Sequence, residues 1–200
     1  MCRKIKDLES ESPKKKFLFS SEESFGYLPH KSVRDKDGVS AIALFTELMC
    51  YHKSRGLDLE QALDEIYEKY GFYHEELLAL NFEGKEGGEK IARIMEYFRS
   101  NREKPIFTEK PTSVDDILTL KRTDFSSNNS SNLDLPQSNV LGFSFESGNK
   151  LWLRPSGTEP KIKFYIMIKE TEGGLEDKKA KAYKKASALG SFIENLVKDL

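Results

Sequence analysis

The apolar positions of the chain fall into short clusters, and the first of these predicts a strand followed by a polar turn. Residues 5–9 have the pattern of a short polar helix. Residues 17–19, Phe-Leu-Phe, form a compact apolar run that predicts a buried strand. The polar residues 20–27 come next, at the strand end where open α/β sheets bind their ligands. We therefore expect this turn to contact a ligand.

Helical periodicity dominates the following part of the chain. In residues 37–55 the apolar side chains recur every three to four positions, which predicts a helix that ends at Gly56. Residues 58–70 predict a second helix, and residues 72–82 predict a strand. A glycine-rich turn follows, and residues 89–101 then predict a third helix.

Strand patterns prevail in the second half of the chain. Four apolar runs predict strands at residues 114–120, 140–145, 151–154 and 162–168. The turn residues 147–149 indicate a hairpin between the second and third of these strands. Residues 124–138 are rich in Ser, Asn and Asp and predict a mobile loop. Residues 175–197 predict a closing helix.

These elements predict two domains with different architectures. Residues 1–105 predict an α/β domain, and residues 106–200 predict a small α+β domain with an antiparallel sheet and a C-terminal helix. A length of 200 residues allows one or two domains. Fractions of 38% hydrophobic and 32% charged residues are typical of a globular protein.

The charge balance narrows the class of ligand. Lys and Arg number 32 against 33 Asp and Glu, a formal net charge of −1, whereas a general nucleic-acid binder needs excess basic charge. The sequence contains no apolar run of membrane-spanning length. Two cysteines disfavour a disulfide framework and fit a reducing cytoplasm. We expect a cytoplasmic protein that binds a small anion and neither nucleic acid nor membrane.

The segment RPSGTEP between the last two predicted strands has chemistry that suits a phosphate group. Arg154 can grip two phosphate oxygens with its planar guanidinium, and the hydroxyls of Ser156 and Thr158 are donors. Gly157 permits backbone angles that let successive N–H groups converge on an anion. An ordinary surface turn is the alternative, because Ser, Gly, Thr and Pro are common turn residues. Lys161 and Lys163 begin the next predicted strand, where alternation puts both on the same face, so one or both could add positive charge.

Three motifs resemble those of the α-D-phosphohexomutase family, which includes phosphoglucomutases and phosphomannomutases. RPSGTEPKIKFY is similar to the family's phosphate-binding loop, and EESFGY, residues 22–27, is similar to its sugar-binding loop. VRDKDG, residues 33–38, also follows the family pattern. The resemblance implies an intramolecular phosphotransferase that interconverts hexose 1-phosphate and hexose 6-phosphate. For this chain it implies part of the family's third domain and the fourth domain.

The resemblance assigns the phosphate contacts to residues in the second half of the chain. Arg154, Ser156, Gly157 and Thr158 would contact the phosphate of a hexose phosphate substrate. Lys163 matches a position that is basic in some relatives and would be a weaker contact.

The resemblance also assigns residues to the sugar and to the reacting centre. Glu22 and Ser24 would face the sugar, because carboxylate and hydroxyl groups can read the orientation of sugar hydroxyls. Lys36 would lie at the reacting centre, where it would stabilise a phosphoryl oxygen or move a proton if its pKa is lowered. The alternatives are a solvated turn or cap for the acidic motif and an exposed salt bridge for Lys36.

The family's phosphoryl-transfer motifs do not occur in the sequence. A Ser-His-Asn-Pro-like phosphoserine segment and an Asp-x-Asp-x-Asp magnesium loop are both absent. We therefore expect no cofactor bound by this chain, and Mg²⁺ with a hexose bisphosphate acting in the full enzyme. Residues 1–19 resemble the middle of the family's third domain, so we expect that domain to be partial. The chain alone is expected to be inactive. The alternatives are a non-catalytic sugar-phosphate-binding fragment, or one half of a split enzyme that needs an N-terminal partner.

Two further features are given structural interpretations. Trp152 alternates with leucines in a predicted strand and is expected to pack rather than to stack on substrate. Asp115 and Asp116 are interpreted as surface charge before a strand.

Overall fold

The computed structural model describes residues 2–11, 16–22, 26–32 and 34–200. The chain forms two compact units, Met1–Glu65 and Ile66–Leu200. Each unit has its own secondary structure, and the second contains the larger of the two sheets, which has seven strands.

The first unit is mostly helical. Its elements are α1 (Cys2–Glu11), β1 (Ser20–Ser21), β2 (Tyr27–Leu28), α2 (Gly38–Ser54) and the start of α3 (Leu59–Tyr70). The strands β1 and β2 pair antiparallel, with Ser20 opposite Leu28. The ligand-contacting turn expected at residues 20–27 includes residues of both strands, and its residues 23–25 lie outside the described residues.

The strand predicted at residues 17–19 is not formed. Leu18 is 81% exposed, and strand pairing begins only at Ser20. A strand is stable only when its backbone groups have a partner and its apolar side chains are covered. Neither condition is met for these residues within the described part of the unit.

Helix α2 has a well-formed N-terminus and an uncovered apolar surface. The Asp37 carboxylate accepts hydrogen bonds from the backbone N–H groups of Val39 and Ser40, both at 3.0 Å. Hydrogen bonds from Ser40 lower the pKa of Asp37. No residue of α2 is buried among the described residues, and Ile42 is 70% exposed. Its periodicity therefore predicted the helix correctly, although the apolar positions have no cover here.

The second unit is a seven-stranded antiparallel sheet with helices on one face. Its strands are β3 (Phe72–Asn81), β4 (Pro111–Asp116), β5 (Lys121–Asp124), β6 (Asn129–Asn132), β7 (Leu141–Phe145), β8 (Lys150–Pro155) and β9 (Lys161–Glu170). Their order is β3-β9-β8-β7-β4-β5-β6. The helices are α4 (Gly84–Ser100) and α5 (Leu175–Asp199).

Strict alternation along β9 separates the two faces of the sheet. Every second residue from Ile162 onwards is buried, and those between are half-buried. Phe98 of α4 packs against Phe143 and Phe164, with ring centroids 6.1 and 6.2 Å apart. Helix α5 adds Ile193 and its apolar neighbours to the same core. The opposite face carries the half-buried residues.

The unit boundary differs from the change of domain predicted at residue 105. Strand β3 pairs with β9 over all ten of its residues, from Phe72 opposite Glu170 to Asn81 opposite Lys161. Because of this pairing, β3 belongs to the sheet of the second unit, and α4, which follows β3, belongs to the same unit. A contact between residues so distant in sequence leaves no local pattern from which it could be predicted.

Helix α4 begins at Gly84, five residues earlier than its apolar pattern predicted. The glycines interpreted as a turn form its first helical turn. A Cβ at Gly87 would lie 2.7 Å from Cβ of Phe82, so this glycine allows close packing of the helix against the preceding residue.

The segment predicted as a mobile loop, residues 124–138, contains the edge strand β6. It pairs with β5 from Asp124 opposite Asn129 to Lys121 opposite Asn132. Hydrogen bonds from Ser126 and Ser127 support the connecting turn and lower the pKa of Asp124 to about 2. Since β6 is exposed on both faces, only backbone pairing defines it, and composition could not reveal it.

The interpretation of Asp115 and Asp116 as surface charge was wrong. Both lie in β4 and are only 7% and 9% exposed. Arg122 donates two hydrogen bonds to Asp115, each 2.5 Å long, and Arg99 contacts Asp116 at 3.3 Å. Each buried carboxylate therefore has a cationic partner, as the cost of burying a charge requires.

We predict that Phe164→Ala lowers the free energy of unfolding by about 3–5 kcal/mol, because it removes a fully buried ring from the sheet core. Urea unfolding followed by circular dichroism measures the change. The matched control is Leu77→Ala, which truncates a 52% exposed side chain on the opposite face and should cost less than about 1 kcal/mol. Equal losses for the two variants would contradict the assignment of faces.

Candidate functional site

The segment RPSGTEP begins at the end of β8 and joins it to β9. Arg154 lies directly opposite Lys163 in the register of the two strands. Their neighbours Leu153 and Phe164 are completely buried on the helix-covered face. Alternation therefore places Arg154 and Lys163 on the other face, where Arg154 is exposed and Lys163 is half-buried. We call these two residues the cationic pair.

Internal hydrogen bonds shape the loop. The Ser156 N–H donates to the carbonyl of Lys161 at 3.0 Å and closes its base. The N–H groups of Thr158 and Glu159 donate to Oγ of Ser156 at 3.4 and 3.3 Å. The carbonyl of Pro160 accepts a hydrogen bond of 2.8 Å from Phe82 N–H. The loop is thereby held to the end of β3.

The charges of the loop are unequally paired. Lys161 Nζ donates to Glu159 at 2.9 Å, and this hydrogen bond lowers the pKa of the Glu159 carboxyl. Among the described residues, none forms a hydrogen bond or ion pair with the side chains of the cationic pair. Glu159 is therefore paired directly with Lys161 and interacts with Lys163 only through the attraction of their charges, so the side chains of Arg154 and Lys163 can still bind an anion.

Gly157 does not adopt the unusual conformation that the sequence suggested. Its φ lies outside the left-handed region, and a Cβ there would meet nothing within 4 Å. The two following N–H groups converge on Ser156 Oγ instead of pointing together at an external anion. Glycine supplies open space at this position, and its contact with phosphate stays a prediction.

The first unit brings two of the predicted site residues together. Lys36 Nζ and Glu22 Oε2 form an ion pair 2.6 Å long. The turn that carries Glu22 is closed by a hydrogen bond of 2.8 Å from its N–H to the carbonyl of Gly26. The salt-bridge alternative for Lys36 therefore coexists with the site assignment, because its partner is the predicted sugar contact. Ser24 lies outside the described residues.

The Glu22–Lys36 pair requires a residue without a side chain at position 26. Gly26 is buried, and a Cβ built there would lie 2.5 Å from Cδ of Lys36 and 2.7 Å from Oε2 of Glu22. No role was assigned to this glycine from the sequence. The signal available in the sequence is a glycine between two aromatic residues at the end of the predicted turn.

The part of the chain that the structure describes holds no group of three or more His, Cys, Asp or Glu side chains able to bind a metal ion. The helices in that part combine neither the length nor the apolar character that a membrane-spanning segment requires.

The sequence is similar to known phosphoglucomutases. Residues 5–70 match the family model described as phosphoglucomutase/phosphomannomutase, alpha/beta/alpha domain III. The phosphoglucomutase of Staphylococcus haemolyticus is 39% identical over 166 residues, which cover 83% of this chain and 29% of that protein. A Staphylococcus epidermidis phosphoglucomutase is 37% identical over 157 residues, covering 78% of this chain. This chain spans 29% of the length of both relatives.

A solved structure has a similar fold. It is the open form of parafusin, an exocytosis-sensitive phosphoprotein and phosphoglucomutase from Paramecium. The TM-score is 0.52 at 17% sequence identity, and the match covers 88% of this chain and 30% of that chain. The predicted fold class is confirmed: an α/β segment is followed by an antiparallel sheet with a C-terminal helix.

We predict that Gly26→Ala separates Lys36 Nζ from Glu22 Oε2 to more than 4 Å, because the added methyl group occupies the space of both side chains. A crystal structure of the variant measures the distance. Gly38→Ala is the matched control, since a Cβ there meets nothing within 4 Å. An intact ion pair in Gly26→Ala would contradict the packing described for this turn.

Proposed function

This chain belongs with the C-terminal portion of the phosphohexomutase family, and from that premise we propose that it binds the sugar and the phosphate for the interconversion of hexose 1-phosphate and hexose 6-phosphate. The observation that carries the proposal is the cationic pair beside the β8–β9 loop. Its guanidinium and ammonium groups have no ion-pair partner among the described residues and lie on strands fixed by a buried core.

The loop would hold the phosphate group that does not react. The guanidinium of Arg154 would donate two parallel hydrogen bonds to phosphate oxygens, and Lys163 would add a point charge. Ser156 Oγ already accepts two backbone N–H groups, so its own hydrogen remains available for a phosphate oxygen. The hydroxyl of Thr158 would be a further donor. A substrate anchored in this way keeps its other end free for transfer.

The sugar would be recognised by residues of the first unit. Glu22 would accept hydrogen bonds from adjacent hydroxyls, and Ser24 would add a donor and an acceptor. The Glu22–Lys36 ion pair keeps the carboxylate positioned before substrate arrives. Because Lys36 is paired with Glu22, binding of the sugar by Glu22 would also place the Lys36 ammonium group beside the substrate. Its charge would stabilise a phosphoryl oxygen there.

Phosphoryl transfer would rely on groups outside these 200 residues. The family implies Mg²⁺, but the described residues do not fit it, because they contain no cluster of three acidic or imidazole side chains. The carboxylates of Asp115 and Asp116 are already paired with arginines. No step through a metal is therefore assigned to this chain. Its own contribution is to bind and orient the substrate.

A second candidate function is non-catalytic binding of sugar phosphates, favoured by the cationic pair, which can bind an anion without any transfer step. A coupled mutase assay of the purified chain, alone and with an added N-terminal mutase half, separates the two. Turnover only in the mixture supports the enzymatic role, whereas binding without turnover in either case supports the second candidate.

We also propose a cytoplasmic location, supported by the free, exposed thiol of Cys50.

We predict that Arg154→Ala weakens the binding of glucose 6-phosphate by about 10- to 100-fold, because a charge-assisted bidentate contact is lost. Isothermal titration calorimetry measures the affinity. Arg154→Lys should give an intermediate loss, since it keeps the charge and removes the fork.

Lys150→Ala is the matched control for this prediction. It removes an exposed positive charge from the same strand, about 13 Å away along β8, and should leave the affinity within about twofold of the original. Unchanged affinity in Arg154→Ala would overturn the assignment of the phosphate loop.

We predict that Glu22→Ala reduces discrimination between glucose 6-phosphate and mannose 6-phosphate, because an acceptor for sugar hydroxyls is lost. Affinity for inorganic phosphate should not change. Competition titrations with the three ligands measure both quantities. Equal losses of affinity for inorganic phosphate and for hexose phosphate would contradict a sugar-reading role.

A further inference from the structure

The uncovered face of the sheet continues from the cationic pair into an aromatic pair. Trp152 and Tyr165 lie directly opposite each other in the β8–β9 register, two residues further along each strand than Arg154 and Lys163. Residues two apart on a strand share a face and lie about 7 Å apart. The aromatic pair therefore forms the next row of side chains on the same surface. Its distance from the cationic pair is close to the width of one sugar ring.

Trp152 lies flat against the backbone of the neighbouring strand β7. Its register partner there is Gly142. A Cβ at Gly142 would lie 2.6 to 2.8 Å from three atoms of the indole, Cε2, Cδ2 and Cζ2. Because these distances are nearly equal, one face of the indole rests on the glycine. Its other face points away from the sheet.

The surroundings leave this outer face accessible. Trp152 and Tyr165 are half-buried and so partly exposed to solvent, and Leu77, which lies opposite Tyr165 on β3, is 52% exposed. Helices α4 and α5 both pack on the other side of the sheet. Among the described residues, none forms a hydrogen bond with the Tyr165 hydroxyl, which can therefore bind an external polar group.

We propose that Trp152 is a specificity-determining residue that stacks on the hexose ring of a sugar phosphate held by Arg154 and Lys163, with Tyr165 contributing its hydroxyl. This inference rests on the proposed function, because it requires the phosphate group to bind at the cationic pair. It adds a sugar contact within the second unit.

The chemistry of the surface fits a sugar phosphate better than a bare anion. The negative face of an indole attracts the C–H groups of a pyranose, and contact removes apolar surface of both from water. Inorganic phosphate has no group that would reach this row. The tryptophan should therefore contribute to the affinity for hexose phosphates and nothing to the affinity for phosphate.

The test uses the intrinsic fluorescence of the chain, because Trp152 is its single tryptophan. Saturating glucose 6-phosphate should quench or shift the emission, whereas inorganic phosphate should bind with no change. In Trp152→Ala the affinity for glucose 6-phosphate should fall about threefold to tenfold, and Trp152→Phe should keep part of it. The affinity of both variants for inorganic phosphate should stay the same.

A second variant tests the position of the ring while keeping it. Gly142→Ala places a methyl group where the indole rests, so the emission of the free protein should change and the affinity for glucose 6-phosphate should fall. Ser144→Ala is the control, since it lies on the same strand and face, two residues away, opposite Lys150. Its emission and its affinities should equal those of the original chain.

The outcomes separate this inference from the function on which it rests. If inorganic phosphate and glucose 6-phosphate compete for Arg154 but Trp152→Ala leaves both affinities unchanged, the stacking role is overturned and the phosphate loop stands. An equal loss for both ligands would also overturn stacking, because it would indicate a structural role for the ring. If neither ligand binds the original chain, the proposed function fails and the inference fails with it.

Discussion

The antiparallel pairing of β8 with β9 is the constraint on which the candidate site depends. Alternation along these two strands sends Leu153 and Phe164 into the core and leaves Arg154 opposite Lys163 on the other face. The buried neighbours fix the backbone under both cations, so the positions of the cations do not depend on the loop alone. A site fixed in this way requires little ordering when an anion binds, which reduces the entropic cost of association.

The helices cover only one face of the sheet, and this asymmetry separates stability from recognition. The helix-covered face holds the fully buried residues of the core. The uncovered face carries the cationic pair and then the indole of Trp152 on Gly142. Charge pairing within the loop has a related effect, because Glu159 forms its ion pair with Lys161. Among the described residues, the cations of the sheet face therefore have no ion-pair partner within hydrogen-bond distance.

In the first unit, polar contacts hold the predicted site residues, beside a small core that includes Ile5 and Leu28. The ion pair between Glu22 and Lys36 is packed around Gly26, and Asp37 caps the helix that follows. Helix α2 has no buried residue among the described ones. The arrangement of Glu22 and Lys36 therefore depends on contacts between neighbouring residues of the first unit, whereas the phosphate loop is anchored by the sheet of the second unit.

The sequence by itself determined the helices, most of the strands and the chemical character of both loops, because periodicity and residue type act over a few neighbouring residues. It could not reveal that residues 129–132 form an edge strand, that Asp115 and Asp116 are buried, or that Glu22 pairs with Lys36. Those features depend on partners contributed by other parts of the chain. Only the tertiary structure decided them, since the free energy of a backbone pairing or of a buried charge is set by the partner it finds.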